Sequence, residues 1–119
     1  MDMPDWVTSF PGAVTVTDRN KVLVWMNDRA AANLERDGGR ALLGAGIDAC
    51  HNERSRAIIE RLLSTGESNA YTIEKGPVRK FIYQAPWRDA SGAVAGLVEL
   101  SIVIPAEMPH YVRPVPASP

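Results

Sequence analysis

With one cysteine, Cys50, in 119 residues, the chain has no partner for an intrachain disulfide and too few thiolates for a multi-cysteine zinc site. Histidine is nearly as scarce, and His51 and His110 alone give a metal cage of protein ligands little to draw on. No apolar run approaches the ~20 residues that a membrane-spanning helix needs. The start, Met1-Asp2-Met3-Pro4-Asp5, is acidic where a secretory signal would be basic, so a cytoplasmic protein without membrane contact is expected. Neither charge is in excess: 13 Lys and Arg face 14 Asp and Glu, and a net charge of -1 supplies no electrostatic footprint for a nucleic acid. Hydrophobic residues at 45% and charged residues at 23% are ordinary for a globular domain, so one compact core is expected.

The order of elements is more informative. Ala13–Asp18 and Val22–Met26 are rich in β-branched and aromatic residues and flank the polar Asp18-Arg19-Asn20-Lys21, which predicts a hairpin. Asn27 or Asp28 can cap a helix through the alanines at 30–32 and Leu34, which Asp37-Gly38-Gly39 then stops. Ala41 to Cys50, broken by Gly44 and Gly46, predicts short helical turns packed close to a neighbour. Ile58, Ile59, Leu62 and Leu63 recur at helical spacing within a longer helix over Glu53–Thr65, with Asn52 as its cap and Gly66 as its stop. Ser68–Lys75, Val78–Trp87 and Ala93–Ile104 follow as an antiparallel meander, joined by Gly76-Pro77 and Asp89-Ala90-Ser91-Gly92. In the second of these runs Phe81, Tyr83, Ala85 and Trp87 share one face, and Lys80, Ile82 and Gln84 the other. The class is α+β: a five-stranded antiparallel sheet with short helices and one longer helix on one face. Residues 1–8 read as a flanking segment, 9–104 as the domain, and 105–119, with five prolines, as an extended tail.

The run from Phe10 to Asp18, with Lys21-Val22-Leu23-Val24-Trp25-Met26-Asn27, resembles the opening of a PAS domain, whose second strand ends in Asn after an Asp-containing turn. Leu42-Leu43-Gly44, the helix before Gly66, and Trp87 to Val98 are similar to that family's later helices and last hairpin. The resemblance implies a non-catalytic sensory or interaction module. A small ligand in its cavity, or a partner on its sheet, would then shift the equilibrium of a homodimer or of a separate signalling protein.

Candidate residues follow from both readings. Trp25, Tyr71, Phe81, Tyr83 and Trp87 could line a pocket for a flat ligand, with Asn27 and Arg79 as polar contacts and His51 and Ile58 beside the longer helix; a plain apolar core explains the same aromatics. His51 is the candidate axial ligand if the cofactor is haem, against a structural role beside the Asn52 cap. Flavin is not expected, because Asp48 to Ser55 holds a cysteine but lacks the rest of the flavin-binding motif that the superfamily's light sensors carry. A hydroxycinnamate on Cys50, as in photoactive yellow protein, would lack its phenolate partners, since Met26 and Ala30 stand at their places. Gly44-Ala45-Gly46-Ile47-Asp48-Ala49 resembles a relaxed dinucleotide fingerprint but follows no strand. Two further alternatives stay open: a small Cys50/His51 enzyme, and a dimerisation module with a filled core and an apolar outer sheet face centred on Leu97 and Val103.

Overall fold

The alternation in Ala13–Asp18 and Leu23–Met26 forms β1 and β2, preceded by one helical turn, α1 (Asp5–Thr8). This computed structural model describes residues 3–48 and 51–117. Asn27 caps α2 (Asp28–Asn33), two 3-10 turns follow over Glu35–Asp37 and Gly39–Leu42, and α3 spans Glu53–Thr65. The Asn52 carboxamide accepts from Ser55 N at 2.8 Å, and Gly66 ends α3 at φ 79° in the left-handed region that favours glycine. Three long strands complete the chain: β3 (Asn69–Lys75), β4 (Val78–Arg88) and β5 (Val94–Ile104).

The sheet order is β2-β1-β5-β4-β3, with every neighbouring pair antiparallel. First and last strands thus meet in the middle, and β5 is bonded on both sides. The helices cover one face, here called inner. Met26, Ala30, Ile59, Leu62 and Leu97 form the centre of the core, with Leu62 fully buried and Ile59 2% exposed. Each such aliphatic side chain contributes about 1.5–3 kcal/mol by leaving water.

That core fills only the β2–β1–β5 half of the inner face. The β3 edge is covered only in part, with Tyr71 43% and Ile73 41% exposed.

Two expectations change here. Residues 43–47 do not make helical turns: they run along β2, with Gly44 N bonded to Leu23 O, Leu23 N to Ala45 O and Ile47 N to Lys21 O. Backbone amides left open at the edge of β2 are satisfied this way, which outweighs the weak helical preference of a Gly-rich stretch. The Lys21 ammonium holds this segment to α3, with Asp48 Oδ2 at 3.0 Å and Glu60 on its other side. These carboxylates raise the Lys21 pKa, Glu60 foremost.

The second change concerns sidedness. Leu97 and Val103 share the inner face with Glu99 and Ser101, as their pairing with Thr17 and Lys80 requires. The outer apolar face is instead Val14, Val16, Val98, Leu100 and Ile102, flanked by Phe81, Tyr83 and Ala85.

Candidate functional site

The inner face carries a cross-strand row of polar side chains. Asn69 on β3 pairs with Gln84 on β4, Gln84 with Glu99 on β5, and Glu99 with Thr15 on β1. Asn69 Nδ2 donates to Gln84 Oε1 at 3.0 Å, and Gln84 Nε2 donates to Glu99 Oε2 at 2.9 Å. Each amide in this chain is thereby oriented, and the donor direction ends on the carboxylate.

Above the row, three adjoining cavities open between the sheet and the helices, and all three are bordered by Glu99. The largest, about 530 Å³, is walled by Leu23, Leu34, Leu42, Ile47, Ile59 and Leu97, with Thr15, Thr17, Asp37 and His51 as its other polar lining. A second, about 480 Å³, reaches along α3 past His51, Ile58 and Tyr71. The third, about 290 Å³, lies toward Asn33, Lys80 and Ser101. Together they form one cleft.

Of the residues singled out by sequence, His51, Ile58 and Tyr71 come together along this cleft. Trp25, Tyr83 and Trp87 do not line it. Trp25 pairs with Val16 and Tyr83 with Leu100 on the outer face, where Phe81 stacks beside Tyr83 at 6.2 Å. The Trp87 indole donates to Thr17 O at 2.9 Å, locking β4 to β1 across Gly96.

Asn27 is withdrawn too. It is 0% exposed, and its amide is used up by Val14 N, Ala30 N, Gly12 O and Val7 O, leaving nothing to offer a ligand. Arg79 pairs with Glu74 and Ala106 O, away from the cleft. His110 lies in the exposed tail, and Cys50 is outside the described residues.

Sequence reasoning passed over Glu99, Gln84, Asn69 and Thr15. The available signal was the polar alternation of β4 and β5, which marks either a solvated face or a wet cleft; the outer residues looked like core because they are the bulkier set.

His51 Nδ1 lies 2.7 Å from Ile47 O, so this nitrogen carries the proton, and in the neutral ring Nε2 is an acceptor. An imidazole so held could ligate a haem iron. The rest of the cleft does not fit a haem: an apolar porphyrin face would cover the polar row and offer no donor to the second oxygen of Glu99. No group of three or more His, Cys, Asp or Glu suited to a metal ion occurs among the described residues.

The Tyr71 phenol is pushed above its ordinary value, first by burial and then by the Glu99 carboxylate. Ultraviolet titration near 295 nm is therefore expected to show a late step that belongs to Tyr71. Glu99→Gln lowers that midpoint without bringing it to the ordinary value, because burial remains. Below the unfolded tyrosine value of about 10 the phenol is neutral in both states. Above it the unfolded chain loses its proton first, so the contribution to stability falls as pH rises. A Tyr71→Phe variant whose titration keeps the late step would contradict the assignment.

A five-stranded antiparallel sheet in 2-1-5-4-3 order, backed on one face by helices around a cleft, defines a compact α+β domain. A family model described as the PAS fold matches residues 7–107, and the chain belongs to this family. It is a PAS sensory domain, and domains of this family are in general non-catalytic sensory modules.

Solved structures agree on the fold. The PAS domain of Bordetella pertussis BvgS aligns with a TM-score of 0.63 and 19% identity, over 82% of this chain and 80% of that one. The Aer2 receptor from Vibrio cholerae, a dual PAS-heme oxygen sensor, gives a TM-score of 0.61 and 18% identity over 78% and 94%. A Vibrio cholerae VqmA dimer gives 0.66 and 19% over 85% of this chain and 51% of the longer VqmA chain. No curated protein matches the sequence. No helix among the described residues is long and apolar enough to cross a membrane.

Proposed function

We propose that this PAS domain senses a small molecule held in the cleft between its inner sheet face and α2, the 3-10 turns and α3. Binding there shifts the equilibrium of a homodimer, or of a complex with a separate signalling protein, formed on the outer sheet face. The observation that carries the reading is the cleft itself: three adjoining cavities, the largest about 530 Å³, meeting over an ordered polar row, with aliphatic walls from Leu23, Leu34, Leu42, Ile59 and Leu97. Support also comes from VqmA, a chain that contains a fold of this kind and is solved bound to DPO. We place its action in the cytoplasm, the compartment that a lone cysteine fits.

The segment between α2 and α3 links cleft to output in this scheme. Residues 43–47 and Lys21 tie β2 to α3, so a ligand that moves Leu42, Ile47 or Ile59 also loads the strand pair β1–β2.

A screen of small fragments by nuclear magnetic resonance tests the cleft: shifts are expected to cluster on Thr15, Leu34, Ile59 and Glu99. Clustering on Val98, Leu100 and Tyr83 instead would move the binding site to the other face and sink the reading. For the output face, Ala85→Arg places a charge among Val16, Val98 and Trp25 at a position outside the buried core cluster. Sedimentation is expected to show a dimer for the native chain at about 50 µM and a monomer for the variant, with helix content unchanged. A native chain that is monomeric at that concentration would leave only the partner-protein route.

A further inference from the structure

The lining of the cleft selects a charge. In the largest cavity the ionisable side chains are Asp37, Glu99 and His51, with no lysine or arginine among them. His51 presents an acceptor there when neutral, because its Nδ1 proton is committed to Ile47 O. None of the ion pairs among the described residues includes Glu99. Two cations border the adjoining cavities without pairing with Glu99: Arg54, at the start of α3, lines the second, and Lys80 lines the third but stands four residues from Gln84 on β4, about 13 Å along the strand.

Glu99 is nonetheless held firmly. Gln84 Nε2 donates to its Oε2 at 2.9 Å, and Gln84 is kept from turning over by Asn69 Nδ2 at 3.0 Å on its carbonyl. A carboxylate oriented by a neutral amide chain, bordering the apolar side chains of the largest cavity and without an ion-pair partner among the described residues, is matched by a donor that carries positive charge. An anion there meets two carboxylates. A neutral acceptor leaves the other Glu99 oxygen, Oε1, and His51 Nε2 without a donor as water is expelled.

We propose that Glu99 is the specificity-determining carboxylate of the cleft and that the ligand is a small organic cation of the amine or amidine class with an apolar body. The apolar part lies against Leu34, Leu42, Ile59 and Leu97, and the charged nitrogen donates to Glu99, with His51 Nε2 as a second acceptor. This rests on the cleft being the ligand site, as proposed above.

The test uses three probes of one shape, benzamidine, benzamide and benzoate, titrated into the whole chain. Calorimetry gives affinity, and the methyl resonances of Leu34, Leu42 and Ile59 report occupancy. Benzamidine is expected to bind at least about tenfold more tightly than either other probe. Glu99→Gln is expected to weaken benzamidine about tenfold or more and to leave benzamide unchanged or tighter. The new carboxamide still accepts from Gln84 through its oxygen, but it presents a donor to the ligand. Glu99→Asp keeps the charge on a shorter arm and is expected to fall between; it stands in for glutamine if Glu99→Gln does not fold.

Equal affinity for all three probes, or benzamidine binding unchanged in both variants, overturns the assignment of Glu99 while leaving the cleft as a binding site. If no probe moves a cleft methyl resonance, both readings fail together.

Discussion

Replacing Asn27 with alanine is expected to remove about 3–5 kcal/mol of folding stability, a large share of the ~5–15 kcal/mol typical of a domain. The reason is connectivity. Asn27 Oδ1 accepts from Val14 N and from Ala30 N, each at 3.0 Å, so one atom fixes both the start of the sheet and the start of α2. Its Nδ2 donates to Gly12 O at 2.8 Å and to Val7 O at 3.1 Å, bringing α1 and the segment after it onto the same point. Alanine leaves four backbone groups without that partner in a place with no solvent exposure at Asn27 itself.

Urea unfolding measures the loss. Serine is expected to recover about 1 kcal/mol of it, because its hydroxyl can still cap α2. Aspartate keeps both acceptor roles but brings a buried charge and no donor, so it should be no better than alanine. A loss below about 1 kcal/mol for Asn27→Ala would mean that water replaces the amide at little cost, and that this junction is open rather than sealed.

Gly96→Ala is expected to be nearly as damaging for a different reason. A methyl group at position 96 would lie 1.9 Å from Thr17 O and 2.6 Å from Trp87 Nε1. The first contact is with backbone in the paired strand β1, which cannot swing aside without breaking the β1–β5 ladder. The second is with the indole whose N–H donates to that same carbonyl at 2.9 Å.

A cost of about 3 kcal/mol is expected, lowering the melting temperature by roughly 10–20 °C. Trp87→Phe by itself loses one hydrogen bond, about 1 kcal/mol. Combined with Gly96→Ala it gives no rescue, because Thr17 O remains in the way. Melting within about 2 °C of the native chain for Gly96→Ala would show that the strands part easily at this end.

Much of the fold was legible along the chain because its signals are local. Asn52 before the Ile58, Ile59, Leu62, Leu63 spacing, and Gly66 after it, define α3 through capping and periodicity that operate within a few residues. Asp89 to Gly92 define the β4–β5 turn, where Asp89 Oδ1 accepts from Ser91 N at 2.9 Å and from Ala93 N at 3.2 Å. The alternation in β4 likewise states which residues share a face.

Which of those faces receives the helices is another matter. Both faces of β4 carry apolar residues, and the bulk of Phe81, Tyr83 and Trp87 argued for the side that the structure leaves uncovered. That choice was settled by contacts far apart in sequence: Thr17 with Leu97, Asn27 with Val14, and Ile59 and Leu62 against the side of β5 that holds Leu97. Glu99 shows the same division. Its sequence neighbourhood, Val98-Glu99-Leu100, identifies only a polar residue on one side of a strand. Its place as the end of an amide chain under a cleft exists only once β3, β4 and β5 lie in register and α3 stands above them.

The chain by itself therefore determined the elements, their order and the PAS architecture, because turn chemistry, capping and periodicity act over short separations. The tertiary structure alone decided which side of the sheet is cleft and which is apolar surface, because that depends on the packing of residues up to 80 positions apart.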